Sequence, residues 1–221
     1  WWFGKENDAW VLNHELAHIF SCVPYFGNFR ENSLLVHFDG GASRSNFSAA
    51  IYKAGKITWK EYHWDLKNYS SIYNANALVF SILGAKLPEQ NSVPGKFMGF
   101  AGWGKYNPDI ELWLIENDYF QNIWGKTSLF LKKLGTDWNT ELKSFDQRNK
   151  LLRDIAATLQ QIFIKQLLQK IRQLAKNTET EYLYYTGGSA LNIVANTEII
   201  KSNIFKEVFI PPSTEDSGLA L

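Results

Sequence analysis

Cysteine is almost absent from this chain: Cys22 alone, in 221 residues, excludes an internal disulfide and a thiolate cluster for zinc, and suits a reducing cytoplasm. A surplus of charge is missing too. With 23 basic and 22 acidic residues the formal net charge is +1, so no general field exists to recruit nucleic acid or an anionic membrane surface. Any phosphate must be bound by local geometry. No apolar run approaches the roughly 18 residues of a membrane span, and there is no low-complexity tract, no repeat of solenoid period and no clear linker. Trp1-Trp2-Phe3 is neither an initiator Met nor a charged lead into a cleavable apolar run. Ser217 to Leu221 stop without a polar tail. The expectation is a partial domain, residues 1–221, cut at both ends.

What is present is a composition for one sizeable core, 45% hydrophobic and 20% charged. Trp10, Leu12, Leu16, Ile19 and Phe20 form a loose helical stripe with Asn7 or Asp8 as N-cap, and a spacing of four puts His14 and His18 on one face. Leu34 to Phe38 reads as a buried strand stopping in the turn Asp39-Gly40-Gly41, and Phe47–Tyr52 with Ile57–Tyr62 reads as a hairpin. Ser70 or Ser71 can cap a helix through Leu83 that Gly84 closes. The four glycines between Gly95 and Gly104 suggest backbone conformations that side chains forbid. Apolar residues every three or four positions predict a long helix over Asn149 to Lys176, lying across the core. Tyr182 to Tyr185 is a strand feeding Thr186-Gly187-Gly188-Ser189 and a new helix, and Val208 to Ile210 is a last strand. Asn117 to Phe145 is the least legible region.

His14-Glu15-Leu16-Ala17-His18 spells the HExxH of zinc peptidases, in which two histidines bind metal and the glutamate is the base. The accompanying residues do not follow. A metzincin needs Gly and His where this chain has Ser21 and Pro24, and a gluzincin carboxylate would have to come from Glu31 or Glu61, among strands and turns. An accidental pair of histidines on a solvated helix is the plain alternative. Asp39-Gly40-Gly41 is equally an ordinary turn or a place where amides approach a phosphate beside a carboxylate. Thr186 to Ser189 repeats that arrangement at a strand-to-helix junction, where an anion is favoured. Asp216, following the strand and preceding Gly218, is by default a surface turn residue.

Taken in order, His14-xxx-His18, Asp39-Gly40-Gly41, Gly95-Lys96-Phe97-Met98-Gly99-Phe100-Ala101, Gly187-Gly188-Ser189-Ala190-Leu191-Asn192 and Pro211 to Gly218 resemble the nodulation-type O-carbamoyltransferases. Asp154 to Gln161 and Phe205 to Pro211 resemble that family between the motifs. The resemblance implies an α/β, actin-like, ribonuclease H-related ATPase fold with mixed sheets flanked by helices. It implies that carbamoyl phosphate is processed by a C-terminal YrdC-like domain, joined to ATP as carbamoyl-adenylate, and passed to a hydroxyl of a sugar or natural product. By residue match His14, His18 and Asp216 are the metal ligands with Asp39 beside them, a set suited to Fe(II) or Zn(II). Gly40, Gly41, Gly187 and Gly188 hold the nucleotide, with Asn192 near it and Lys96 a further phosphate contact. The chain departs from the family at Glu15, where a second histidine commonly stands. It also lacks the opening strands and the YrdC-like domain, so this part alone should not run the whole reaction. Two other readings share the plan: a tRNA threonylcarbamoyl-transfer relative, and a non-catalytic remnant that holds nucleotide.

Overall fold

A computed structural model describes residues 12–63, 81–120, 127–140, 146 and 148–220. Its centre is one five-stranded sheet built from β1 (Ser33–Phe38), β2 (Phe47–Lys53), β3 (Lys56–His63), β4 (Tyr182–Thr186) and β5 (Glu207–Phe209), in the order β3-β2-β1-β4-β5. The first three strands are antiparallel, and β4 and β5 run parallel to β1. β1 is therefore the middle strand, and every residue of it is buried, as its nearly continuous apolar sequence requires. The β2–β3 hairpin turns on Ala54 and Gly55, both at positive φ (52° and 72°), the two-residue geometry that matches strand twist. Glu31 accepts from the amides of both turn residues, at 2.7 and 3.2 Å.

Helices cover both faces. On one lie α3 (Val93–Ala101), α4 (Pro108–Glu116), α5 (Thr127–Asp137) and the long α6 (Lys150–Thr178). Ile155, Leu159 and Phe163 of α6 pack with Leu34, Val36 and Phe38 of β1 and with Phe97 of α3 in the larger core. The cap is Asn149, whose side chain accepts from the amides of Leu151 and Leu152. On the other face, α1 (His14–Phe20) and α2 (Val23–Phe26) sit over a small cluster of Ile19, Cys22, Phe29, Leu35, Ala50 and Tyr184. α7 (Ile193–Lys201) follows β4 through a short 3-10 turn, Gly188–Leu191, and a last 3-10 turn spans Asp216–Ala220. No helix among the described residues is long and apolar enough to cross a membrane.

Three expectations change. α1 starts at His14, not near Trp10, because Asn13 is the N-cap and accepts from the Leu16 amide at 2.8 Å; Asn7, Asp8 and Trp10 lie outside the described residues, as does most of the Ser70–Leu83 helix. The apolar stripe faces the core only in part, through Ile19. Leu12 and Phe20 are exposed while Glu15 and His18 are fully buried, so the helix turns its polar residues inward. Finally, the glycine-rich stretch from Gly95 is regular helix through Ala101, and only Gly104 is required for space, since a side chain there would collide with the carbonyl of Arg153 on α6. The poorly legible stretch contains α5, joined to α4 by a hydrogen bond from Trp113 Nε1 to Asp137 at 2.8 Å.

Candidate functional site

The parallel pairing of β1 and β4 sets His37 opposite Thr186, so the turns that follow, Asp39-Gly40 and Gly187-Gly188, emerge side by side at the carboxyl ends of neighbouring strands. That is where open α/β sheets bind ligands, particularly where strand order reverses, as it does between β1 and β4. Asp39 ties the two turns together, accepting from its neighbour Gly40 N at 2.6 Å and from Gly188 N at 2.9 Å. Gly187 stands at φ +92° with the carbonyl of Phe38 against its α-carbon, leaving no room for a side chain. Its amide donates to Thr214 O at 3.0 Å, which brings the last loop up to the same point.

α1 approaches this junction from the opposite side. His14 and His18, one turn apart, meet at Nε2 to Nε2 3.1 Å. Asp216 Oδ1 lies 3.2 Å from His18 Nε2 and 3.4 Å from His14 Nε2, and Asp39 Oδ2 lies 3.4 Å from His18 Nε2. Four donor atoms from three distant parts of the chain thus converge. Metal bonds of about 2.1 Å place neighbouring donors roughly 3.0–3.4 Å apart in tetrahedral or octahedral shells, so the spacing fits a divalent ion. The protonation state fits as well. Burial is the main cause that holds the His18 pKa below its usual value, favouring the neutral ring that offers a lone pair.

Glu15 takes no part in this cluster. Its carboxylate is buried and accepts from Arg44 N at 2.6 Å, fastening α1 to the loop between β1 and β2. Both candidates for a peptidase's third ligand are also committed, Glu31 to the hairpin turn and Glu61 to Lys170 at 2.6 Å.

A cavity of about 620 Å³ opens beside the cluster, lined on one side by Asp39, Gly40, Gly188, Ser189, Glu215 and Asp216, and on the other by residues before and within α3, including Ser92, Pro94, Gly95 and Met98. Phe163, Leu191 and Asn192 complete it. Not every expected residue reaches it. Lys96 points away and pairs with Glu89 at 2.7 Å; Gly41 and Gly187 do not line it. The Asn192 amide lines the cavity but is engaged as the N-cap of α7 and with Gln160 at 3.1 Å. On this side it is Gly95 and Met98 of helix α3 that line the cavity.

Sequence reading missed Glu215, which lines the cavity with its pKa lowered by hydrogen bonds from Ser217, and His37. Residues of a strand two apart share a face, so the period of β1 alone places His37 with Asp39.

A family model described as the carbamoyltransferase N-terminus matches residues 5–221. The chain belongs to this carbamoyltransferase family. Among curated relatives, it is 25% identical to nodulation protein NolNO of Sinorhizobium fredii (strain NBRC 101917 / NGR234) over 99% of its own length and 32% of that protein. It is also 25% identical to nodulation protein NolO of Bradyrhizobium diazoefficiens over 95% of its length and 37% of that protein. The chain thus spans about a third of the length of these relatives. Among solved structures it is similar to a ROK family glucokinase from Streptomyces griseus in complex with glucose and AMPPNP, with 10% identity, a TM-score of 0.42 and coverage of 95% of this chain and 65% of that one.

Proposed function

We propose that this chain is the metal- and nucleotide-binding part of an ATP-dependent O-carbamoyltransferase. The observation that carries the reading is the meeting of two imidazoles and two carboxylates at the edge of a cavity bordered by two glycine turns at the ends of parallel strands. In this reading His14, His18 and Asp216, with Asp39 beside them, hold Fe(II) or Zn(II), which supplies Lewis-acid polarisation of phosphate and carbonyl oxygens. Gly40 and Gly188 leave the cavity wall open to phosphate, while Pro94, Met98, Phe163 and Leu191 offer an apolar surface to a base.

The chemistry divides between this part and the remainder of a longer protein. At a YrdC-like domain water hydrolyses carbamoyl phosphate, breaking the bond to phosphate and leaving carbamate and inorganic phosphate; a carbamate oxygen then attacks the α-phosphorus of ATP, releasing pyrophosphate and forming carbamoyl-adenylate. An acceptor hydroxyl then attacks the carbamoyl carbon, the bond to the AMP oxygen breaks, and the hydroxyl proton is lost. Asp39 holds the two turns at fixed separation, and His14, at the open edge of the cluster with a side chain 28% exposed, is reachable by the reacting groups. A sugar or natural-product hydroxyl is the acceptor class, and the lone buried Cys22 suits a cytoplasmic setting.

The full-length protein should release pyrophosphate from ATP only when carbamoyl phosphate is supplied. Release indifferent to carbamoyl phosphate overturns the reading, transfer of threonylcarbamoyl to tRNA reassigns it to that relative, and nucleotide binding without turnover or metal makes it a remnant.

A further inference from the structure

His37 lies in β1 among residues that build the core, yet it is not built as a core residue. Its side chain is fully buried, and neither Nδ1 nor Nε2 has a hydrogen-bond partner among the described residues. Leaving a buried polar atom unpaired is costly, a penalty that valine or phenylalanine beside Leu35 would avoid. The ring faces the layer under α1, with its centroid 4.9 Å from that of His18 and 5.8 Å from that of His14. One donor atom each from His14, His18, His37 and Asp39 lie within 4.8 Å of one another.

We propose that His37 is a further ligand of the metal, so that this chain offers three imidazoles with Asp39, beside Asp216. The inference rests on the reading that His14 and His18 hold an ion. A ligand on β1 joins the ion to the central strand of the sheet, whereas His14 and His18 come from a helix of seven residues. A third imidazole also favours the nitrogen-preferring ions zinc, iron and copper over magnesium, and removes one position that a phosphate oxygen would otherwise occupy.

The test is Co(II) titration of the full-length protein after chelator treatment, followed by visible absorption and chelator competition. The native protein should take up one Co(II). His37→Phe, which keeps a ring in an apolar layer, should bind it at least about 10–100-fold more weakly with shifted visible bands. The thermal midpoint of the metal-free variant should hold or rise. Pulsed EPR of the native protein loaded with Cu(II) needs no variant and should count three coordinated imidazoles. Two imidazoles, or His37→Phe with unchanged affinity and spectrum while His14→Ala abolishes uptake, overturn the role of His37 and leave the metal reading standing. No Co(II) uptake by the native protein overturns both.

Discussion

Glu15 is the residue whose sequence context and surroundings disagree most. In HExxH it looks like a catalytic base, but its carboxylate is buried against the Arg44 amide at 2.6 Å. Glu15→Gln keeps an oxygen acceptor there, so carbamoyl phosphate-dependent pyrophosphate release should stay within roughly threefold of native. Stability should fall by about 1–2 kcal/mol as a charge-assisted bond becomes a neutral one. Loss of activity in a folded variant would restore a chemical role for Glu15. Cys22, fully buried beneath α1, has its thiol pKa pushed from 9.0 up to about 12 by burial. Native protein at pH 8 should resist iodoacetamide and react once urea exposes the site. The unfolded chain ionises Cys22 near pH 9.0 while the folded one holds the proton, so its contribution is fully present below pH 9.0 and lost as pH rises toward 12. Urea midpoints from pH 8 to 11 should therefore fall less steeply for Cys22→Ala than for the native chain.

At the scale of the element, the glycine turns that look alike in sequence behave differently. Gly187 sits at φ +92° with backbone where a side chain would go, so Gly187→Ala should cost more than about 2 kcal/mol or prevent folding. Gly41 has ordinary φ and nothing within 4 Å of an added methyl, so Gly41→Ala should leave stability within about 0.5 kcal/mol. Denaturation midpoints separate the two, and ATP affinity that drops for Gly41→Ala at unchanged stability would support its phosphate role. The hairpin, the long helix and the strand before Gly187 were legible because each follows a period of two or of 3.6 with its own cap or turn. α1 was mislocated for the opposite reason. It is seven residues long and its inward face carries Glu15, His18 and Ile19, so hydrophobic periodicity misreports which side is buried. Gly95 and Gly99 misled differently, since glycines within a helix serve the open space beside it rather than its backbone angles.

At the scale of the whole molecule, the cluster joins pieces that secondary structure leaves separate: α1, the end of β1 and the last 3-10 turn, with Asp216 lying 198 residues beyond His18. An ion bound there closes that connection in the folded state alone. Excess Zn(II) should raise the thermal midpoint of the full-length protein, by an amount equivalent to about 2.7 kcal/mol at a hundredfold excess over the dissociation constant, and a chelator should reverse it. The shift should vanish in His18→Ala; a midpoint indifferent to metal would count against ligation.

Sequence alone determined the class of elements, the order of the glycine turns and the family, because these depend on residue type and local spacing. It also placed His14 and His18 on one face, since helical geometry fixes neighbours four apart. Only tertiary structure decided that Asp216 and Asp39 meet those rings, that Lys96 leaves the cavity for Glu89, that Glu15 is a fastening and that His37 stands buried and unpaired beside them. Those outcomes depend on the parallel register of β1 with β4 and on which face of α1 is pressed to the sheet, and long-range pairing of that kind is written in no local pattern.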